Sequence, residues 1–80
     1  MRATVLVRPK QGILDPQGSA VQSSLRQLGF AVDETRVGRV IDLDVEAGTD
    51  AEARETVERM CAQLLANPLI ESYEIRLGDA

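Results

Sequence analysis

Three stretches of the chain alternate between hydrophobic and polar residues, and this period of two predicts β-strands. They cover residues 2–8, 40–46 and 73–77. In the first stretch Val5 and Val7 fall on one face. In the second stretch apolar residues alternate with acidic ones, which predicts one buried face and one solvated face.

A weaker strand pattern covers Phe30–Val37. Gly38 follows it directly, and glycine is typical of tight turns because it has no Cβ atom. We therefore predict that Phe30–Val37 and residues 40–46 pair as a β-hairpin with its turn at Gly38.

Two stretches have hydrophobic residues at spacings of three and four, which predicts amphipathic helices. The first helix begins at Asp15-Pro16, because Asp can accept a bond from a free N–H of the first turn and proline lacks the N–H that would be left over. It ends at Gly29, since glycine tolerates the left-handed conformation that closes many helices. Its apolar stripe consists of Val21, Leu25 and Leu28.

The second helix begins with Thr49 and Glu52, whose spacing matches a capping box. It ends at Asn67-Pro68, because the residue before a proline is disfavoured in a helix. Cys61 lies among its apolar positions, which predicts a buried and unreactive thiol. The apolar stripe consists of Val57, Met60, Cys61, Leu64 and Leu65.

These elements give the order strand-helix-strand-strand-helix-strand in a single domain spanning residues 1–80. Two amphipathic helices can bury their stripes on the same face of an antiparallel sheet, so we predict an α+β fold. The core should be aliphatic, because the chain has one Phe, one Tyr and no Trp. A domain this short has a thin core and exposed sheet edges, which favours association with copies of itself.

The composition argues against several classes of function. The net charge is −4 with acidic and basic residues interspersed, whereas a nucleic-acid-binding protein normally has a basic face. No apolar run approaches the roughly 18 residues that span a bilayer, so we expect no membrane partner. The single cysteine cannot form an internal disulfide, which fits a reducing cytoplasm.

Candidate catalytic and metal-binding groups are scarce. The chain has no histidine, which removes the commonest general base and a frequent zinc ligand. Asp42 and Asp44 lie two apart on one strand and are candidates to share Mg²⁺, although strands commonly carry such acids for solubility. We predict no catalytic residue, no bound metal and no cofactor in this chain.

The segment Pro9–Gly18, which joins the first strand to the start of the first helix, contains most of the turn chemistry of the chain, including Gly12 and Gln17. Either Lys10 and the helix N-terminus present positive charge to an anion or a partner, or the segment is only a capped connection. Lys10 has no evident structural role, so we expect Lys10→Ala to leave the fold intact. Arg36 and Arg39 flank the predicted hairpin turn and form either a second docking site or a solvated turn.

Three strings of residues resemble the PurS family. They are Lys10–Gly18, which includes Leu-Asp-Pro-Gln-Gly, then Arg36–Arg39, and finally Leu64–Glu71, which includes Leu-Leu-Ala-Asn-Pro. PurS is the small subunit of bacterial and archaeal phosphoribosylformylglycinamidine synthase, and the resemblance covers nearly the whole chain. Arg39 stands where we expect Lys in this family, which keeps the charge but changes the geometry of the donors.

The resemblance implies a non-catalytic role in a larger enzyme of purine biosynthesis. In this family a glutaminase releases ammonia from glutamine, and a large synthetase uses ATP and Mg²⁺ to add it to formylglycinamide ribonucleotide. The small subunit, as a homodimer or tetramer, bridges the glutaminase and the synthetase. The resemblance also implies partner contacts by Lys10, Gly12, Asp15, Gln17, Arg36 and Arg39.

Two alternative functions remain open at this point. A domain of this size and element order is also typical of regulatory modules that bind a small metabolite at a dimer interface. A stand-alone enzyme of the ferredoxin-like dimeric type is a weaker hypothesis, since such enzymes usually rely on a histidine or an aromatic-lined pocket. Neighbouring genes for a glutaminase and a large synthetase would favour the assembly subunit, and an adjacent transcription factor would favour the sensor.

Overall fold

A computed structural model describes residues 1–78 and confirms the α+β fold class, with two helices and an antiparallel sheet. Along the chain the elements are β1 (Arg2–Pro9), α1 (Pro16–Gln27), β2 (Arg39–Asp44), α2 (Asp50–Met60), a π-helical turn (Cys61–Leu65) and β3 (Glu71–Leu77). The two predicted helix starts are confirmed. Asp15 Oδ1 accepts a bond from Gly18 N (2.9 Å), and Thr49 Oγ1 accepts one from Glu52 N (3.2 Å).

The sheet has three strands in the order β2-β1-β3, so the first strand of the chain lies in the middle. Val5 lies opposite Ile41 on one side and opposite Ile75 on the other, and all three side chains point to the face that α2 covers. Val57 of α2 and Cys61 of the π-helical turn are fully buried against this face. The aliphatic core and the burial of Cys61 are therefore confirmed.

The strand predicted over Phe30–Val37 is wrong, and so is the hairpin that depended on it. This segment is bonded to α1 instead. Thr35 N donates to Gln22 Oε1 (3.2 Å), and Arg26 Nε donates to Val32 O (2.8 Å). The segment has strand-like composition, but its polar partners are helix side chains and not the backbone of a neighbouring strand.

Gly38 does not form the tip of a hairpin either. It passes directly beside β1, and a Cβ atom at this position would lie 2.1 Å from Val7 O. The glycine is therefore required by a close approach between two backbones and not by a turn conformation.

The prediction that both helices pack on the same face of their own sheet is wrong for α1. Gly18 is the only buried residue of this helix, while Val21 is 42% and Leu28 is 73% exposed. We call α1 and the segment that follows it, residues 16–37, the arm. The molecule measures 49 × 27 × 14 Å with a radius of gyration of 15.6 Å, against about 12 Å for a compact domain of this length.

The second helix changes character earlier than predicted. A π-helical turn replaces its last α-helical turn, with Ala66 N donating to Cys61 O (3.1 Å). The wider turn rotates the residues that follow Cys61, so Leu64 is 83% exposed and Ala66 is buried in its place. The assignment of Leu64 to the apolar stripe is therefore wrong.

Candidate functional site

Three segments that are far apart in sequence meet at the end of the sheet where β1 finishes. They are the loop 10–15, the segment 36–39 and the loop 66–71. Four of the six residues expected to bind a partner lie here and hold these segments together: Lys10, Asp15, Arg36 and Arg39. We call this set of contacts the clasp.

Arg36 fastens the segment 36–39 to the end of β1. Its Nη2 atom donates to the carbonyl oxygens of Pro9 and Lys10, the latter at 2.6 Å. Its Nη1 atom lies 3.6 Å from a carboxylate oxygen of Glu34, whose side chain is 65% exposed. Arg36 therefore lies at the end of β1 and does not mark the tip of a solvated hairpin.

Asp15 uses both carboxylate oxygens in structural bonds. One oxygen caps α1 through Gly18 N, and the other accepts from Val37 N at 2.9 Å. These bonds from Val37 and Gly18, together with the nearby charge of Arg36, hold the pKa of Asp15 below its ordinary value. The carboxylate thus ties the base of the arm to its own returning segment.

Lys10 has a structural role that the sequence did not reveal. Its backbone N donates to Ile70 O (2.9 Å) and its Nζ atom donates to Pro68 O (2.7 Å). The expectation that the Lys10 side chain has no structural role is therefore wrong. Lys10→Ala would remove the bond to Pro68 O and keep the backbone bond to Ile70 O, so an intact fold in this variant stays a prediction.

Arg39 forms a two-pronged ion pair with Glu71, with N–O distances of 2.6 and 3.1 Å. Asn67 N also donates to Glu71 (2.7 Å). The Arg39 guanidinium and the Asn67 bond lower the pKa of Glu71, and Glu71 in turn raises the pKa of Arg39. Glu71 is not among the residues that the sequence predicts for a site. The two residues are 32 positions apart, and only the strand order brings them together.

Gly12 and Gln17, the other two expected partner contacts, are exposed beside the clasp. Gly12 has a φ angle of +82°, which favours glycine. Gln17 lines a shallow cavity of about 250 Å³ together with Ile13 and Leu14, and Leu14 is 82% exposed. The surface above the clasp is therefore a mixture of polar and apolar groups held on a fixed backbone.

The remaining candidates for a metal site or a nucleophile, Asp42 and Cys61, are hydrogen-bonded or buried. Asp42 accepts a bond from Thr4 Oγ1 (2.9 Å), and within residues 1–78 no three His, Cys, Asp or Glu side chains are grouped as a metal site. Burial, with a smaller effect of Glu58, raises the pKa of Cys61, which disfavours the reactive thiolate. In the same part of the chain, no helix is both long and apolar enough to cross a membrane.

The fold and this site define a class of protein: a small α+β module without a reactive centre among its described residues. Its charged cluster bonds to the backbone of its own chain, and the apolar side chains of its arm are exposed. Comparison with known proteins narrows the class. The family profile PurS, described as phosphoribosylformylglycinamidine (FGAM) synthase, matches residues 2–79. The chain belongs to the PurS family of FGAM synthase subunits, which act in purine biosynthesis.

Individual relatives agree in sequence and in structure. The chain is 48% identical over 73 residues to PurS of Synechocystis, covering 90% of this chain and 71% of that protein. It matches the crystal structure of Methanocaldococcus jannaschii PurS with a TM-score of 0.83 and 42% identity, over 94% of this chain and 92% of that one. It also matches a chain in the structure of PurLQS from Thermotoga maritima, with a TM-score of 0.86 and 36% identity, over 94% and 93% of the two chains.

Proposed function

We propose that this chain is a non-catalytic assembly subunit of FGAM synthase that bridges a glutaminase subunit and an ATP-using synthetase subunit. The observation that carries the proposal is its match, over 94% of its length, to a chain of the PurLQS structure. The state of its polar groups supports the same role, since the charged side chains of the clasp bond to backbone carbonyl and N–H groups and to one another. On this proposal glutamine, ATP and Mg²⁺ are handled by the other subunits, and the complex works in the cytoplasm.

We also propose that the chain associates with a second copy of itself through the arm. A helix of 12 residues is only marginally stable in water on its own, so α1 needs a surface to pack against. Within residues 1–78 the sheet of the same chain does not supply one, because the buried core contains no side chain of α1. Leu28 and Phe30, which are 73% and 59% exposed, lie where the helix ends and would be covered by the second copy.

The surface above the clasp is our proposal for the contact with the other subunits. Gly12 and Gln17 are exposed there, and Leu14 supplies apolar area next to them. Lys10, Asp15, Arg36 and Arg39 contribute by fixing the backbone beneath. A surface that is already rigid loses little conformational entropy on binding, which favours affinity.

Reconstitution with purified glutaminase and synthetase tests the bridging role directly. Glutamine-dependent synthase activity should require this chain. Activity with ammonium salt in place of glutamine should not require it, because no transfer between subunits is then needed. Equal glutamine-dependent activity with and without the chain would refute the proposal.

A further inference from the structure

The face of the sheet that α2 does not cover carries polar and charged side chains. Along most of this face each acidic side chain lies beside a hydrogen-bond donor or a cation. Thr4 donates to Asp42 (2.9 Å), and Arg76 pairs with Glu74 (3.0 Å). Arg2 lies directly opposite Asp44 in the strand register. These residues form rows across the three strands in which each acid has a donor as its neighbour.

The last row of this face is different. Arg8 lies opposite Ser72 of β3, and on its other side the chain has Gly38, which lacks a side chain. Within residues 1–78 the guanidinium of Arg8 forms neither an ion pair nor a hydrogen bond, although the side chain is exposed at the end of the central strand. Within residues 1–78, Arg8 is therefore a cation with no acidic partner, on a face whose acidic side chains each lie beside a donor.

Arg8 lies in a groove that is also bordered by two cations bonded to backbone carbonyl oxygens. We use the word groove for two adjoining cavities that share Arg8 and Arg36 in their lining. The first end, beside Lys10 and Ser72, has a volume of about 400 Å³. Lys10 and Arg36 border it, and the clasp fixes both through backbone carbonyls. Among the described residues that line the groove, the one acid is Glu34, which lies beside Arg36. A net positive charge therefore remains around Arg8, although the whole chain carries −4.

The floor of the groove is aliphatic. Leu6 and Val40 line its second end, which holds about 540 Å³, and Val40 is 61% exposed. An inorganic anion would gain nothing from such a floor. A peptide segment with a carboxylate side chain and a neighbouring aliphatic side chain would use both, because the guanidinium can bind a carboxylate with two bonds while the floor is dehydrated.

We propose that this groove, with Arg8 at its centre, binds an acidic segment of another subunit of the synthase. The inference rests on the proposed function and adds a second contact surface to it, on the open face of the sheet. Arg8 pairs with a carboxylate of the partner, and Leu6 and Val40 contact the aliphatic part of the same segment.

Calorimetric titration of the chain against purified synthetase, and separately against purified glutaminase, tests the proposal at low and high salt. Arg8→Glu should weaken binding to one of them by roughly 10- to 100-fold at low salt, as for a charged contact at an interface. The loss should shrink at high salt because the charges are screened. Arg54→Glu makes the same charge change at an exposed position of α2, away from the groove, and should bind like the wild type. Thermal melts confirm that each variant is folded.

A second variant guards against a local effect on β1. Val40→Asp places an acid on the floor of the groove from β2 and should also weaken binding, while Arg8→Gln should fall between wild type and Arg8→Glu. If wild-type chain binds and Arg8→Glu binds equally well, the groove proposal is refuted and the bridging role stands. If wild-type chain binds neither subunit and adds no activity, the bridging role itself fails. Displacement of the partner by inorganic phosphate alone, or weaker self-association of Arg8→Glu, would also overturn the proposal.

Discussion

Replacement of Leu28 by alanine distinguishes an arm that stays exposed to solvent from an arm that a second copy of the chain covers. In an isolated chain Leu28 is 73% exposed, so its truncation should hardly change the free energy of unfolding. If a second copy covers the arm, the same side chain is buried on association. The substitution should then weaken association and leave each chain folded.

The size of this effect follows from the exposure. Full burial of a leucine side chain contributes about 1.5–3 kcal/mol, and the exposed share of Leu28 corresponds to about 1–2 kcal/mol per copy. In a symmetric dimer each copy contributes one Leu28, which gives about 2–4 kcal/mol for the pair. The dissociation constant should therefore rise roughly 30- to 1,000-fold.

Sedimentation equilibrium over a concentration series measures the change, and Leu64→Ala is its matched control. Leu64 is also an exposed leucine at the end of a helical segment, at 83%, but it lies on the π-helical turn outside the arm. Leu64→Ala should associate like the wild type. A wild-type chain that stays at 8.7 kDa at micromolar concentration, or equal losses in both variants, would show that the arm is not the interface.

Three further outcomes are expected from the buried core and the clasp. Cys61→Ala should lower the free energy of unfolding by about 1–3 kcal/mol in a urea titration, and the activity of the complex should be retained. In the folded wild-type chain Cys61 should react slowly with a thiol reagent. Fast labelling would contradict its burial. Glu71→Gln should cost about 1 kcal/mol, since its ion pair with Arg39 is partly exposed. Because folding lowers the pKa of Glu71, its contribution to the free energy of unfolding is complete above the ordinary pKa of 4.5 and is lost as pH falls through the lower folded pKa. This part of the loss of stability in acid should be absent in Glu71→Gln. An unchanged dependence of stability on pH would argue against the ion pair of Glu71 with Arg39. Asp15→Asn keeps one acceptor and should lower the melting temperature less than Asp15→Ala; equal losses would mean that Val37 and Gly18 do not share the carboxylate.

The sequence predicted the elements that local chemistry determines. Asp15 and Thr49 start the helices because capping depends on residues three positions away, and three strands follow from the alternation of apolar and polar residues, which is loose in the first strand. Phe30–Val37 was assigned wrongly because strand-like composition does not specify a pairing partner. In this chain two backbone groups of the segment, Val32 O and Thr35 N, bond to side chains of α1, and Val37 N bonds to the side chain of Asp15.

Other errors arose because periodicity predicts that a residue will be covered but not what covers it. The stripe of α1 was predicted correctly as an apolar surface, yet the sheet of its own chain does not bury it. The hydrogen bonds of the Lys10 and Arg39 side chains could not be predicted from the sequence. Their partners, Pro68 and Glu71, come close only once β1 lies between β2 and β3. Four of the six residues predicted to contact a partner lie together at the end of β1, but the structural role of their charged groups required the topology, and their contact with a partner stays a prediction.

The central position of β1 determines when the sheet can form. This strand is made first, but residue 3 pairs with residue 43 on one side and with residue 77 on the other. Neither edge can close until much later segments have been synthesised, and long-range pairing of this kind slows folding. The bonds within the arm are local by comparison. During synthesis β1 therefore has no partner on its β3 side until residues 71–77 have been made.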